Sequence, residues 1–287
     1  MKDRLYSDIR PSPIAGTWYP GDPDELTREV ENYLHTAPAP AVDGEVLGFV
    51  VPHAGLIYSG FTAAHAFKAL EGKSCCRVII ISPSHQRYSQ PLLTSAHEAY
   101  ATPLGAIPVD KHSLTMLNEA LESDRLTLSP VRADREHSLE IELPFLQVLL
   151  PKGFELVPIM MPDQNLRTVN ALSNALLSLY ENLPDPHETL MVASSDLSHF
   201  YAENQAAHLD QAVLEAMQTI DPIALYRLAA SGGGEACGLG PIATVILTSK
   251  KLGANKLTIT DYRTSAAVTK DRSSVVGYAS AILTKPA

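Results

Sequence analysis

The chain is predicted to be an α/β protein with a mostly parallel central sheet and helices on both faces. Short apolar runs rich in Val and Ile alternate with segments of helical periodicity, the pattern of successive βαβ units. Three of those runs lead straight into a histidine: Phe49-Val50-Val51-Pro52-His53, Val78-Ile79-Ile80-Ile81-Ser82-Pro83-Ser84-His85 and Leu190-Met191-Val192-Ala193-Ser194-Ser195-Asp196-Leu197-Ser198-His199. Parallel strands end on one side of a sheet, and ligands bind in the crevice beyond those ends. Histidines just past three such ends are therefore candidates to converge, as imidazoles do around a metal ion or along a proton path.

Each element has its own signal. Asp22-Pro23 supplies an N-cap and a first-turn proline for a helix over 23–34, with Leu26, Val30 and Tyr33 facing a core. Ser59 is a candidate cap for a second helix running through Leu70. A third starts at Asp110, with Leu114, Leu117 and Leu121 on one side. Ser138 is expected to cap another helix, in which Pro144 marks either a kink or a displaced first turn. Leu156 to Met161 reads as a strand, and Pro158 places it at an edge or a bulge. Helices are expected over 165–181, 203–218, 222–230 and 238–252. Leu257–Thr260 and Val275–Leu283 read as terminal strands that pair with each other. With 287 residues, 45% of them hydrophobic and 19% charged, and with no repeat or linker, one domain over 1–287 is expected.

Composition narrows the function classes. A net charge of −10 lacks the basic footprint of nucleic-acid binding. No apolar stretch reaches the roughly 18 residues of a membrane span. The opening Met1-Lys2-Asp3-Arg4 is polar rather than a signal-peptide core, and three cysteines, two of them adjacent, form no disulfide framework. The simplest expectation is a cytoplasmic protein with reduced thiols.

Within the motifs, His53 and His85 each sit in a rigid Pro-containing turn; each reads alone as a turn histidine, and together as the first two ligands of a metal. Asp196 and His199 have the spacing of one helical turn, which would let the carboxylate orient the imidazole as a proton shuttle or further ligand. The alternative is a capping aspartate beside a surface histidine. His137 lies among carboxylates in Glu136-His137-Ser138-Leu139-Glu140-Ile141-Glu142, a solvated helix start unless it faces the same crevice. Cys237 closes a glycine-rich turn before a helix, where the N-terminus favours thiolate, the metal-binding and nucleophilic form. Phosphate-loop, dinucleotide and serine-hydrolase motifs are not satisfied.

Taken together, Pro52-His53-Ala54-Gly55, Pro83-Ser84-His85, Glu136-His137-Ser138, Ser194-Ser195-Asp196 with His199, and Cys237-Gly238 resemble the Memo family, in prokaryotes the B component of the AmmeMemoRadiSam set. Ala15-Gly16-Thr17-Trp18-Tyr19-Pro20 and Ser273-Ser274-Val275-Val276-Gly277-Tyr278 extend the likeness along the chain. The resemblance implies a fold related to the class III extradiol dioxygenases, which hold non-haem Fe(II) with two histidines and a carboxylate and use a further histidine for acid/base work. On that pattern His53 and His85 are the paired metal ligands and His199 holds the acid/base position. Cys237 stands where the dioxygenases have their carboxylate. Thiolate shifts the metal preference towards copper and zinc beside iron. Glu142, where relatives often carry a neutral or histidine side chain, is expected to add negative charge near the mouth.

The leading expectation is a metal-binding, redox-active protein with His53, His85 and Cys237 on the ion and Asp196, His199 and His137 around it. The competitors are an extradiol-type dioxygenase and a non-catalytic module that uses the same cleft to bind a peptide or partner protein. The family setting adds association with a radical SAM protein.

Overall fold

A computed structural model describes residues 6–132 and 134–286; the polar opening Met1–Arg4 lies outside the described residues. In chain order the elements are β1 (Ile9–Arg10), α1 (Pro23–Thr36), β2 (Glu45–Val51), α2 (Leu56–Phe67), β3 (Arg77–Pro83), β4 (Leu92–Ser95), β5 (Ala99–Thr102), β6 (Gly105–Pro108) and α3 (Lys111–Glu122). There follow β7 (Leu128–Val131), α4 (Leu143–Leu149), β8 (Glu155–Met161), α5 (Leu166–Asn182), β9 (Thr189–Ser194), β10 (His199–Tyr201) and α6 (Glu203–Gln218). The chain then adds α7 (Pro222–Ala230), α8 (Leu239–Lys251), β11 (Lys256–Thr264), α9 (Ala266–Thr269) and β12 (Val275–Lys285).

The main sheet runs β10-β12-β2-β9-β3-β8-β4-β7, with β11 also on β12. Only its centre is wholly parallel: β2, β9, β3 and β8 run one way, whereas β12 lies antiparallel to β2, β10 and β11, and β4 antiparallel to β8. The sheet is therefore mixed rather than mostly parallel. Long α/β crossovers produce the parallel centre, and the short connection between β11 and β12 produces the antiparallel flank. A second, three-stranded sheet of β1, β5 and β6 was not legible in the sequence, since its strands are two to four residues long.

Helices cover both faces of the main sheet. Adjacent residues of β2 show it: a side chain at Gly48 would strike Val245 of α8, while Phe49 meets Phe67 of α2 edge-on at 5.8 Å. The central strands are buried on both sides, so Val78–Ile81 and Leu190–Ala193 are continuous apolar runs.

Local signals hold in most places. Asp22 caps α1 by accepting from the Glu25 N–H at 2.9 Å, and Asp110 caps α3 through the Ser113 N–H at 2.9 Å. Leu26, Val30 and Leu34 form the buried face of α1, with Tyr33 lying over Gly60. Ser59 is not a cap: α2 begins at Leu56 on Gly55, and the Ser59 hydroxyl donates to the Ala54 carbonyl at 2.8 Å. After Ser138 the chain forms one 3₁₀ turn, and α4 starts only at Leu143, so Pro144 sits in its first turn, where no N–H is missed. Pro158 lies in an interior strand, but the Pro158 carbonyl accepts from Thr94 on the β4 side, where β8 and β4 share a single pair, Leu93 and Met160. The absent N–H falls on that sparsely paired side. The two terminal strands pair with each other as expected.

Candidate metal centre

β9 lies between β2 and β3, so the strands that end at His53 and His85 are not neighbours. The Ser194-Ser195-Asp196 segment fills the gap between them. His53 is buried, its backbone N–H donates to Asp196 Oδ1 at 2.7 Å, and its Nδ1 lies 2.8 Å from Ser194 Oγ. His85 is held from the other side by Glu136, whose carboxylate accepts from the His85 backbone N–H at 2.6 Å and from Nδ1 at 2.9 Å. In both rings Nδ1 is engaged, which leaves Nε2 to face the cavity.

Cys237 closes the group. Its Sγ lies 3.2 Å from His53 Nε2 and accepts from the Asp196 N–H at 3.2 Å. Gly238 makes this approach feasible: a Cβ there would fall 2.4 Å from the Ser194 carbonyl oxygen and 2.7 Å from Ser195 Cβ. No two of the donor atoms of His53, His85 and Cys237 are more than 4.8 Å apart, so small side-chain adjustments bring all three to the roughly 2.0–2.3 Å of nitrogen and sulfur ligands. The thiol differs from expectation. Burial, aided by the Asp196 carboxylate, pushes Cys237 well above the usual thiol range, overriding the helix N-terminus.

His137 faces the same cavity. Its ring lies 4.5 Å from that of His85 and 4.1 Å from that of Trp18, and burial pushes its pKa down to about 4. His85, Glu136 and His137 form a second close group, but Glu136 is already committed. It accepts from His85, from the His137 and Ser138 N–H groups and from the Ser138 hydroxyl, and remains ionised with a pKa of about 2 although buried. Glu136 therefore orients the His85 ring and anchors the turn that carries His137.

Asp196 and His199 do not share a helix face. Residues 195–198 are irregular and His199 opens β10, so the Asp196 carboxylate bonds the His53 N–H instead of the His199 ring. Both still line one cavity of about 480 Å³, together with His53, His85 and His137. Burial pushes Asp196 up to about 7. Trp18, Ile57 and Tyr58, all exposed, give the cavity an apolar side, and among the described residues no Lys or Arg lines it.

β10 carries an irregularity that sequence reading missed. His199 pairs with Val276 and Tyr201 with Val275, which leaves Phe200 as an extra residue at φ +66°, 75% exposed. A bulged phenylalanine in the left-handed region is strained, and His199 beside it lines the cavity. Phe200→Gly is expected to raise stability by about 0.5–1 kcal/mol in urea unfolding; a loss of stability would contradict the strain.

Glu142 is not at the mouth. It is 1% exposed, lies behind His53, and meets Ser194 Oγ at 3.1 Å. Arg10, also missed, is buried and binds Asp134, Glu140 and the Glu136 carbonyl, fixing the loop that carries Glu136 and His137.

The fold and site define an α/β protein with two imidazoles and a thiol gathered beyond the ends of parallel strands. The family model for Memo-like protein matches residues 10–282. A MEMO1 family protein of Methanobrevibacter smithii is 35% identical over 96% of this chain and 99% of its own length. One of Nitrosopumilus maritimus is 34% identical over 94% of this chain and 98% of its own. The chain belongs to the Memo family.

Proposed function

We propose that this chain is a metal-dependent redox protein of a reducing compartment such as the cytoplasm, with His53, His85 and Cys237 holding one ion and a small-molecule or peptide ligand entering the cavity. The convergence of the three donors carries the reading: each imidazole has Nδ1 tied down, by Ser194 or Glu136, and a sulfur lies 3.2 Å from His53 Nε2. Two imidazoles and a thiolate suit copper, zinc or iron. A bound copper or iron ion supplies one-electron chemistry that no side chain here provides.

The chain's own residues bind, orient and move protons. Asp196, poised near neutrality by burial, takes up or releases a proton at its carboxylate on the cavity wall. His199 lines the same wall in the acid/base position that the family likeness gives it, and His137, neutral at pH 7, is placed to accept a hydrogen bond from a ligand. Trp18, Ile57 and Tyr58 keep water from one side of a bound ligand. An extradiol-type dioxygenase related in fold to the class III enzymes is the second reading, favoured by His199 sharing the cavity; the thiol in place of a carboxylate weighs against it. Cooperation with a radical SAM protein is drawn from the family setting.

Metal content after growth in defined medium tests the proposal. Wild type is expected to hold about one copper, iron or zinc per chain, and a His53→Ala, His85→Ala double variant to lose it. Equal, negligible metal in both would leave the cavity a non-catalytic binding cleft.

A further inference from the structure

The Ser194 hydroxyl has three close partners and one proton. It lies 2.5 Å from the Ser138 carbonyl oxygen, 2.8 Å from His53 Nδ1 and 3.1 Å from Glu142 Oε1. A carbonyl only accepts, so at the shortest of these contacts the Ser194 proton is spent on Ser138. The other two contacts reach lone pairs on Ser194 Oγ, and each partner must bring its own hydrogen. For His53 that hydrogen is on Nδ1. For Glu142 it is the proton of a carboxylic acid.

We propose that Glu142 is a positioning residue: as a neutral acid it donates to Ser194, and this one-way chain fixes His53 in its Nδ1–H form with Nε2 bare beside the Cys237 sulfur. The surroundings agree. Glu142 is 1% exposed, Ser194 is its hydrogen-bond partner among the described contacts, and no cation reaches it there. Burial, with the Asp196 carboxylate beyond, pushes Glu142 well above the usual carboxylate range. An ionised Glu142 would set lone pair against lone pair at Ser194 and compete with Ser138 for the serine proton. The serine could then turn, and the His53 ring would lose the partner that holds its tautomer.

The chain of hydrogen bonds stands without a metal, whereas its purpose rests on the metal reading above. Two measurements on metal-free protein therefore come first. Infrared difference spectra of wild type against Glu142→Gln should show the carbonyl stretch of a protonated carboxylic acid, shifted in D₂O. Nitrogen NMR should place the His53 proton on Nδ1 in wild type and Glu142→Gln, whose amide can still donate, and release it in Ser194→Ala. Absence of the acid band, or a His53 proton on Nε2 in wild type, overturns the proposal. Titration with Zn²⁺ or Cu²⁺ then separates the two readings. Glu142→Leu and Ser194→Ala should weaken binding about 10–100-fold while Glu142→Gln does not. With both spectra as expected and no ion bound by wild type, the metal reading falls and the tautomer lock stands.

Discussion

Replacing Arg10 by alanine is expected to cost about 3–5 kcal/mol, the range for stripping one partner from a buried ion pair. The Arg10 side chain is 1% exposed, its Nε donates to Asp134 Oδ2 at 2.9 Å, its Nη2 donates to Asp134 Oδ1 and to the Glu136 carbonyl at 2.8 Å each, and its Nη1 bonds Glu140. Its guanidinium also sits 4.6 Å from the centre of the Tyr100 ring. Without it, two carboxylates remain in an interior that cannot solvate them. Lysine is not expected to rescue: a single ammonium cannot span Asp134, Glu140 and a backbone carbonyl at once. In thermal unfolding the loss should appear as a fall in Tm of about 5–10 °C. A change under about 1 kcal/mol would mean that water reaches the cluster. The same variant should loosen His137, because Asp134 and Glu140 bracket the segment that carries it.

That Arg10 escaped notice in the sequence has a physical reason. An arginine in a two-residue strand near the N-terminus has no local pattern to mark it as buried; its partners lie more than a hundred residues away. Glu142 was misplaced for the same reason. In Glu140-Ile141-Glu142 the charges read as a solvated helix start, but the 3₁₀ turn points both glutamates inward, one to Arg10 and one to Ser194. The strand-end histidines were legible because a run such as Val78–Ile81 followed by a Pro-containing turn encodes both a buried strand and its end. Strand order was not legible, since nothing local says that β9 inserts between β2 and β3, and with it the role of Ser194 was hidden. Asp196 and His199 show the limit of spacing arguments: three residues apart fits a helix turn, and here the chain is irregular.

The apparent affinity for a divalent ion is expected to climb steeply with pH, because two of the three proposed ligands hold protons that the ion must displace. Burial and the Asp196 carboxylate keep the Cys237 thiol protonated at neutral pH, and the Glu136 carboxylate raises the His85 imidazole above its ordinary value. His53 adds nothing, since burial and the neighbouring rings of His137 and His85 push its pKa down and it is already neutral. The sign follows: protons compete with the ion, so binding tightens as pH rises. Below the raised pKa of His85, two ligand protons leave and affinity should grow by about 100-fold per pH unit. Above it only the thiol proton remains, and the slope should fall to about 10-fold per unit. Asp196, with its pKa of about 7, steepens the middle of the curve as it ionises beside the ion. Competition against a chelator of known protonation, from mildly acid to mildly alkaline pH, measures the curve. Cys237→Ala should remove one proton from the slope at every pH, and Glu136→Gln should shift the His85 break to lower pH. A profile that is flat above the His85 break and the Asp196 ionisation would mean that the thiol is not a ligand.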